Sequence, residues 1–299
     1  MSFDVRDLCL RTEYWGDPPA KSAFLDLVGA VFGLELGPWD AAGFWDDAYQ
    51  PFTYFDPAGR AVSSVCLYAV VLCVDGRRCT VGQLSAVATR PEWRRRGLAR
   101  RLAGEALQVS SASGHPFCYL FADDDALPLY RSLGFDPMPE AVTVIDGVTA
   151  VRREGAHLLD MARADDLAHV HGWAVARAPA SLRLGAWHTK LLMFHVLGGL
   201  RRDVWWIEPL QVVVLARRRG HELTLFDVVG KAIPTLDAII PFLAQPGDER
   251  IVVRFEADQL GDLQRLGRVS MRPLLGNNLH VRGAFPCRAP CVFPLTAQA

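Results

Sequence analysis

One stretch, Gln83 to Leu107, constrains the fold most strongly, because it has the pattern of a β-strand, a tight loop and a helix in succession. Pro91 has no N–H and therefore ends the strand, and it biases the residue before it towards extended geometry. Gly97 allows the backbone to come close to whatever occupies the loop. Beyond it, apolar residues recur at i, i+4 and i+8 as one helix stripe: Leu98, Leu102 and Ala106. The pattern predicts a helix that begins between Arg94 and Gly97.

Positive charge is concentrated at the start of this predicted helix, where the chain carries Arg90, Arg94, Arg95, Arg96, Arg100 and Arg101. A helix N-terminus already has about half a unit of positive charge and several free N–H groups, so arginines there are unfavourable without an anion. A bound polyphosphate would be held by the backbone donors, the helix dipole and the guanidinium groups together. A solvated basic helix face is the alternative, and the arginines alone do not decide between the two.

The order of two motifs favours the bound anion. Arg94-x-x-Gly97-x-Ala99 follows an apolar strand, and Tyr130-x-x-x-Gly134-Phe135 follows one further strand and helix. Together the motifs resemble the GCN5-related N-acetyltransferase (GNAT) superfamily. The resemblance implies an α/β chain with the GNAT fold, in which helices flank a central mixed β-sheet, and it implies acetyl-CoA as the co-substrate.

The resemblance also implies which residues bind acetyl-CoA, namely Val87, Ala88, Thr89, Arg94, Arg95, Arg96, Gly97, Leu98, Ala99 and Arg100. In the superfamily a bulge in this strand frees backbone groups that pair with the pantetheine arm, and the two central parallel strands splay beside it. Tyr130 matches the tyrosine near the thioester sulfur, which implies that it protonates the departing thiolate. A tyrosine that only packs its ring is the alternative.

An aromatic segment, Trp39 to Phe55, carries seven aromatic residues among Gly, Pro and Asp. In the resembled superfamily this region shapes the acceptor pocket. The predicted pocket walls are Trp39, Phe44, Trp45, Tyr49 and Phe52. Asp46 or Asp47 would hold the ammonium group of an acceptor. The alternative is that the aromatic side chains seal the core under a loop.

No carboxylate stands out as a general base, although an amine must be neutral to attack a thioester. The strand offers Gln83 and Ser85, and the open candidates are Glu35, Asp46, Asp47, Glu92 and the carboxylate of Ala299. A backbone N–H at the end of the strand is the expected donor to the oxyanion.

After residue 145 the strand and helix order of the first half repeats, with Gly230-Lys-Ala-Ile-Pro-Thr235 in place of the arginine loop. We therefore expect residues 1–145 to form a GNAT acetyltransferase domain with the acetyl-CoA site, and residues 146–299 to form a degenerate GNAT-like domain. This tandem resembles the first two domains of the enhanced intracellular survival family of aminoglycoside acetyltransferases. That family adds a sterol-carrier-like third domain, for which 299 residues leave no room, so aminoglycoside activity does not follow from the resemblance.

Composition narrows the classes of partner. With 51% apolar residues, 22% charged residues and a formal net charge of −1, the chain has no broad electrostatic surface for nucleic acid or an anionic membrane. The first residues lack a signal-peptide profile, and the apolar run Leu191–Leu200 is too short to span a bilayer. Seven cysteines in mostly apolar segments suggest reduced thiols and a cytoplasmic protein. Cys287 and Cys291 lack a second ligand pair, so we expect no metal.

These observations predict an acyl-CoA-dependent N-acyltransferase that transfers acetyl from acetyl-CoA to a primary amine by direct attack in a ternary complex. The acceptor would be an amine of a small molecule or peptide, and a homo-oligomer is compatible with the sequence. Two alternatives remain open: a catalytically silent acyl-CoA-binding sensor or scaffold, and a CoA-thioester enzyme with a non-amine reaction.

Overall fold

The computed structural model describes residues 4–148, 151–287 and 290–299, which form two mixed β-sheets with helices against their faces. The α-helices in these ranges are α1 (Pro18–Phe32), α2 (Gly37–Ala41), α3 (Leu98–Ala112), α4 (Leu127–Ser132), α5 (Ala164–Val175), α6 (Thr189–Leu197) and α7 (Leu236–Leu243). The strands are β1 (Cys9–Arg11), β2 (Tyr49–Phe55), β3 (Ala61–Val74), β4 (Arg77–Thr89), β5 (Phe117–Phe121), β6 (Asp136–Pro137), β7 (Ala141–Asp146), β8 (Ala156–Leu158), β9 (Leu184–Ala186), β10 (Val204–Ile207), β11 (Val212–Arg219), β12 (Glu222–Val229), β13 (Arg250–Val253), β14 (Arg268–Pro273) and β15 (Leu279–Gly283).

The first sheet has the strand order β1-β2-β3-β4-β5-β15-β6, with β9 also paired to β3. Its pairs are antiparallel except for β4 and β5. Helices α3 and α4 pack against one face, whereas α1, α2 and α6 pack against the other. The predicted mixed sheet flanked by helices is confirmed.

The second sheet repeats this arrangement, with the order β14-β7-β13-β12-β11-β10-β8 and one parallel pair, β12 and β13. The loop 230–235 leads from β12 to α7, as the arginine loop leads from β4 to α3. The second half therefore repeats the strand order of the first, in accordance with its repeated pattern of elements.

The two halves exchange a strand. The last strand of the first half, β7, lies between β13 and β14 of the second sheet, and β15 lies between β5 and β6 of the first. The predicted boundary requires the two sheets to divide between residues 145 and 146. They do not divide there, because each sheet contains a strand from the other half. The reason is backbone pairing. Strand Ala141–Asp146 forms its hydrogen bonds with two strands of the second half, and no described strand of its own half pairs with it.

Helix α6 lies between the two sheets. Leu191 and Phe194 belong to the core of the first sheet, whereas Leu192, Met193 and Val196 belong to a core of the second. A helix that is apolar on all sides must be buried on all sides. The apolar run in this part of the sequence is therefore explained by burial between two sheets.

A buried ion pair joins the end of the chain to the second sheet. Asp227 of β12 accepts hydrogen bonds from both terminal nitrogens of Arg177, at 2.6 and 3.0 Å, and one from the Thr296 hydroxyl at 2.5 Å. Both charged side chains are almost fully buried. A buried charge is tolerated only with such partners, so this cluster fixes residues 290–299 beside β12.

We expect Arg177→Met to lower the free energy of unfolding by about 3–5 kcal/mol, because it leaves the Asp227 carboxylate buried without its cation. The double variant Arg177→Met/Asp227→Leu should regain most of this stability, since it removes the unpaired charge. Urea titration followed by circular dichroism measures both. Equal stability of the single variant and the unaltered chain would contradict the assignment.

Candidate active site

The first sheet opens between its two parallel strands. β4 pairs with β5 only at Gly82 with Cys118 and at Gln83 with Tyr119. Beyond this point β4 bulges: the register shifts between Ser64 and Cys66 of β3, and Ala86 has a φ of 45°. Such a bulge bends a strand and ends its pairing. The splay and the bulge expected at this position are both present.

Strand geometry determines which backbone groups face the opening. Arg90 N–H donates to Val62 of β3 at 3.0 Å, and the Ala88 carbonyl accepts from Ser63 at 3.3 Å. Backbone groups alternate in direction along a strand, so those of Val87 and Thr89 face the opening. The backbone of Ala88, which was also predicted to bind the coenzyme, faces β3 instead, and its side chain is buried in the core.

The arginine loop lies at the outer end of this opening. Arg95 and Gly97 have φ values of 60° and 77°, and α3 begins directly afterwards. Positive φ costs a residue other than glycine about 1–2 kcal/mol, and alternation of this kind is typical of anion-binding backbone concavities. A cavity of ≈ 600 Å³ is lined here by predicted residues Val87, Thr89, Arg94, Arg95, Gly97, Leu98, Ala99 and Arg100.

The arginines of this loop have different partners. Arg90 pairs with Asp26 at 2.5 Å, and Arg94 donates to the Thr89 carbonyl at 3.1 Å. Arg96 lies 4.8 Å from the Trp93 ring and does not line the cavity, so its predicted role is not supported. In the described part of the chain, Arg95 and Arg100 form no ion pair, which leaves both guanidinium groups available to an anion.

A second cavity, of ≈ 330 Å³, continues inwards from the first. The two share Phe32, Val87, Asp123 and Ala126. The inner cavity is otherwise lined by Leu34, Leu36, Trp39, Tyr49, Tyr68, Leu84, Ser85, Ala86, Phe121, Tyr130, Leu191, Phe194 and Ala299. Its position beside the bulge places it where a group carried along the opening of the sheet would end.

Tyr130 of α4 lines this inner cavity and is buried. Burial, and secondarily the charge of Asp123, raises the pKa of its phenol to about 12. The phenol therefore stays protonated at neutral pH and is available as a hydrogen-bond donor.

Comparison with known proteins follows this geometry. A family model of the GNAT acetyltransferase domain matches residues 20–138, which contain the opening, the loop and α4. Residues 20–138 are therefore similar to a GNAT acetyltransferase domain. No curated protein matches the sequence significantly.

Solved structures share the fold of this chain over nearly its whole length. A probable N-acyltransferase from Enterococcus faecalis is 16% identical with a TM-score of 0.59, covering 92% of this chain and 72% of its own. Eis1 from Mycobacterium abscessus is 15% identical with a TM-score of 0.55, covering 92% and 73%. A candidate acetyltransferase from Pyrococcus horikoshii is 11% identical with a TM-score of 0.53, covering 100% and 98%. The two-sheet arrangement is thus shared with these proteins.

The predicted acceptor residues are only partly brought together in the structure. Trp39 and Tyr49 line the inner cavity, whereas Phe52 packs in the core on the opposite face of the sheet. The cause is that residues 49–55 form a strand, in which side chains three positions apart point to opposite faces. Phe44 packs near His171, and Trp45 lies under the Lys21 ammonium, so neither lines the cavity.

Asp46 is not free to hold a ligand. Its Oδ2 accepts hydrogen bonds from Tyr68 at 2.9 Å and from His188 Nε2 at 2.6 Å. The backbone N–H of Val71 donates to His188 Nδ1, which leaves the proton on Nε2. Burial would raise the pKa of the Asp46 carboxyl, but the hydrogen bonds from His188, Ala48 and Tyr68 outweigh it and hold the pKa at about 2.

Of the other predicted bases, Ala299 lines the cavity, whereas the remaining carboxylates do not. Glu35, Asp47 and Glu92 do not line it, and the Gln83 amide exchanges two hydrogen bonds of 3.0 Å with the backbone of Ala299. Residues that sequence reasoning missed as site residues include Asp123, Leu191 and Phe194. Asp123 directly precedes a short 3-10 helix, but its side chain makes no capping hydrogen bond.

Two further searches cover only the described ranges. No group of three His, Cys, Asp or Glu side chains is arranged to hold a metal ion there. No helix in these ranges has the length and apolar character needed to cross a bilayer.

We expect Asp46→Asn to lower the free energy of unfolding at pH 7 by about 1–3 kcal/mol, because it breaks hydrogen bonds to a buried charge. The folded-state pKa of about 2 lies below the ordinary 3.8, so the carboxylate stabilises above pH 3.8 and this contribution disappears as the pH falls towards 2. The difference between variant and unaltered chain should therefore shrink below pH 4 in thermal denaturation. Asp47→Asn, at an exposed neighbour, is the matched control and should have little effect at any pH.

Proposed function

We propose that this protein transfers an acetyl group from acetyl-CoA to a primary amine by direct attack in a ternary complex. The observation that carries the proposal is the continuity of the site. An unpaired strand edge connects the arginine loop to the inner cavity, which Tyr130 lines.

The coenzyme would lie along the opening between β4 and β5. Its diphosphate would meet the free N–H groups at the start of α3 and the side chains of Arg94, Arg95 and Arg100. The pantetheine amides would pair with the backbone groups of Val87 and the N–H of Thr89 as a further strand would. The thioester would then reach the inner cavity at the bulge.

The chemistry forms one C–N bond and breaks one C–S bond. A neutral amine attacks the thioester carbonyl, and the oxyanion that forms accepts a hydrogen bond from a backbone N–H at the bulge. When the tetrahedral intermediate collapses, Tyr130 gives its proton to the departing thiolate. The amine proton passes to solvent or to Asp123, the carboxylate side chain that the described cavity lining contains.

A silent acyl-CoA-binding protein is the second candidate. The observation that favours it is the lack of a buried carboxylate among the described cavity-lining side chains, since Asp123 is exposed. Release of free thiol from acetyl-CoA in the presence of amines separates the two candidates. Tight binding of coenzyme without thiol release across a broad amine panel would favour the silent protein.

We expect Tyr130→Phe to lower kcat by about 100-fold or more, the usual contribution of a positioned acid, with little change in the Kd for CoA. Tyr54→Phe removes a phenolic hydroxyl outside both cavities and is the control. Thiol release measures kcat and calorimetry measures Kd. Unchanged turnover in the Tyr130 variant would remove this residue from the mechanism.

We expect Gly97→Ala to raise the Kd for CoA at least about tenfold, because each hydrogen bond to a charged phosphate contributes about 1.5–3 kcal/mol. Gly59→Ala is a matched control: Gly97 and Gly59 have φ values of 77° and 79°, and a Cβ on either meets no protein atom within 4 Å. Both variants should lose similar stability through backbone strain. A similar Kd in the two variants would place the diphosphate elsewhere.

A further inference from the structure

The second half of the chain supplies one wall of the inner cavity. Leu191 and Phe194 lie at i and i+3 on α6, so they share one helix face, and both line the cavity. Ala299 lies on the same lining. The second half therefore takes part in the site of the first, although its own counterpart of the arginine loop lacks the arginines.

Three polar contacts fix the start of α6 against the first half. His188 Nε2 donates to Asp46 at 2.6 Å, Lys190 Nζ donates to the Trp45 carbonyl at 2.9 Å, and Trp39 Nε1 donates to the Lys190 carbonyl at 2.9 Å. These contacts involve residues directly before Leu191. They set the position of the helix, and therefore the distance between Phe194 and the facing Trp39 ring, which is 5.8 Å between centroids.

The wall opposite the bulge is apolar. Leu34, Leu36 and Trp39 face the cavity from the first half, and Leu191 and Phe194 complete the wall from the second. Two of the hydroxyl groups on the lining are already engaged, because Tyr68 bonds to Asp46 and Tyr49 to Ser85. Asp123, where the two cavities meet, is the one ionisable carboxylate side chain on the described lining.

We propose that the acceptor is a primary amine with a single positive charge carried on an apolar, preferably aromatic, body, and that α6 of the second half selects it. This inference rests on the proposed function. Asp123 would attract the one ammonium group to the thioester, and the apolar body would lie against Trp39 and Phe194, which both line the cavity. A polycationic acceptor is disfavoured, because each further ammonium would lose its hydration without a second carboxylate side chain on the described lining to replace it.

The volume agrees with this class of ligand. A cavity of ≈ 330 Å³ is at the lower end of the range of about 300–1,000 Å³ found for small-molecule sites. It suits a compact amine and is small for an oligosaccharide with several amino groups.

The test uses the full chain saturated with CoA and measures the binding of 2-phenylethylamine, ethanolamine and spermidine by calorimetry. Thiol release from acetyl-CoA with the same amines is the second readout. We expect 2-phenylethylamine to be favoured over ethanolamine by about 100-fold in both readouts, the effect of burying one apolar group of this size. Spermidine should bind no better than ethanolamine.

Two variants locate the selection on α6. Phe194→Ala should weaken 2-phenylethylamine at least about tenfold and leave ethanolamine and CoA unchanged, because it removes apolar contact only. Phe285→Ala is the matched control, since Phe285 is a half-buried phenylalanine of the same core that does not line the cavity. Leu191→Glu should move the preference towards spermidine.

The outcomes distinguish this inference from the proposed transfer reaction. Selective binding of 2-phenylethylamine without thiol release would overturn the transfer reaction and support the ligand class. Thiol release with a preference for spermidine, or with no preference, would overturn the ligand class alone. A third outcome would also overturn the ligand class: the protein prefers octanoyl-CoA to acetyl-CoA, and Phe194→Ala abolishes this preference. The cavity would then hold the acyl chain.

Discussion

The whole site depends on the separation of β4 from β5. Two strands that begin as a parallel pair would normally continue to pair, because unpaired backbone groups inside a protein are costly. Here the bulge at Ala86 turns β4 away after Gln83, so the backbone of Val87 and Thr89 lacks a strand partner on that side. The same turn directs the chain into the arginine loop, so one irregularity creates both the strand edge and the anion site at its end.

The second half is best understood as a support for this opening. β15 completes the first sheet beside β5, and α6 covers the face of the sheet that carries Tyr49 and Tyr68. The exchange of β7 for β15 ties the two sheets together by backbone hydrogen bonds, which side-chain contacts alone would not do. Loss of the arginine loop from the second half is compatible with this role, since a supporting domain needs packing surfaces rather than a phosphate site.

Local sequence patterns accounted for much of the fold and less of the site. The strand, loop and helix predicted from Gln83 to Leu107 are present as β4, the arginine loop and α3, because Pro91 and Gly97 interrupt the apolar pattern there. The strand β2 was missed because Pro51 and its aromatic neighbours suggested a loop. The opposite directions of the Tyr49 and Phe52 side chains were missed for the same reason. Strand exchange was also missed, since an apolar strand such as β7 fits either sheet and only distant pairing decides between them.

The acceptor wall illustrates the same limit more sharply. Leu191 and Phe194 looked like ordinary core residues, and their helix is indeed buried, but it is buried between two sheets that the sequence does not place side by side. Asp46 is the opposite case, a predicted site residue that proves to be structural. A carboxylate among aromatic residues suggested a site for an ammonium group. In the structure, the Asp46 carboxylate is hydrogen-bonded to His188, which lies 142 positions further along the chain. The Asp46 carboxylate therefore holds α6 in place instead of binding a substrate, and the side chains that α6 presents to the cavity, Leu191 and Phe194, are apolar.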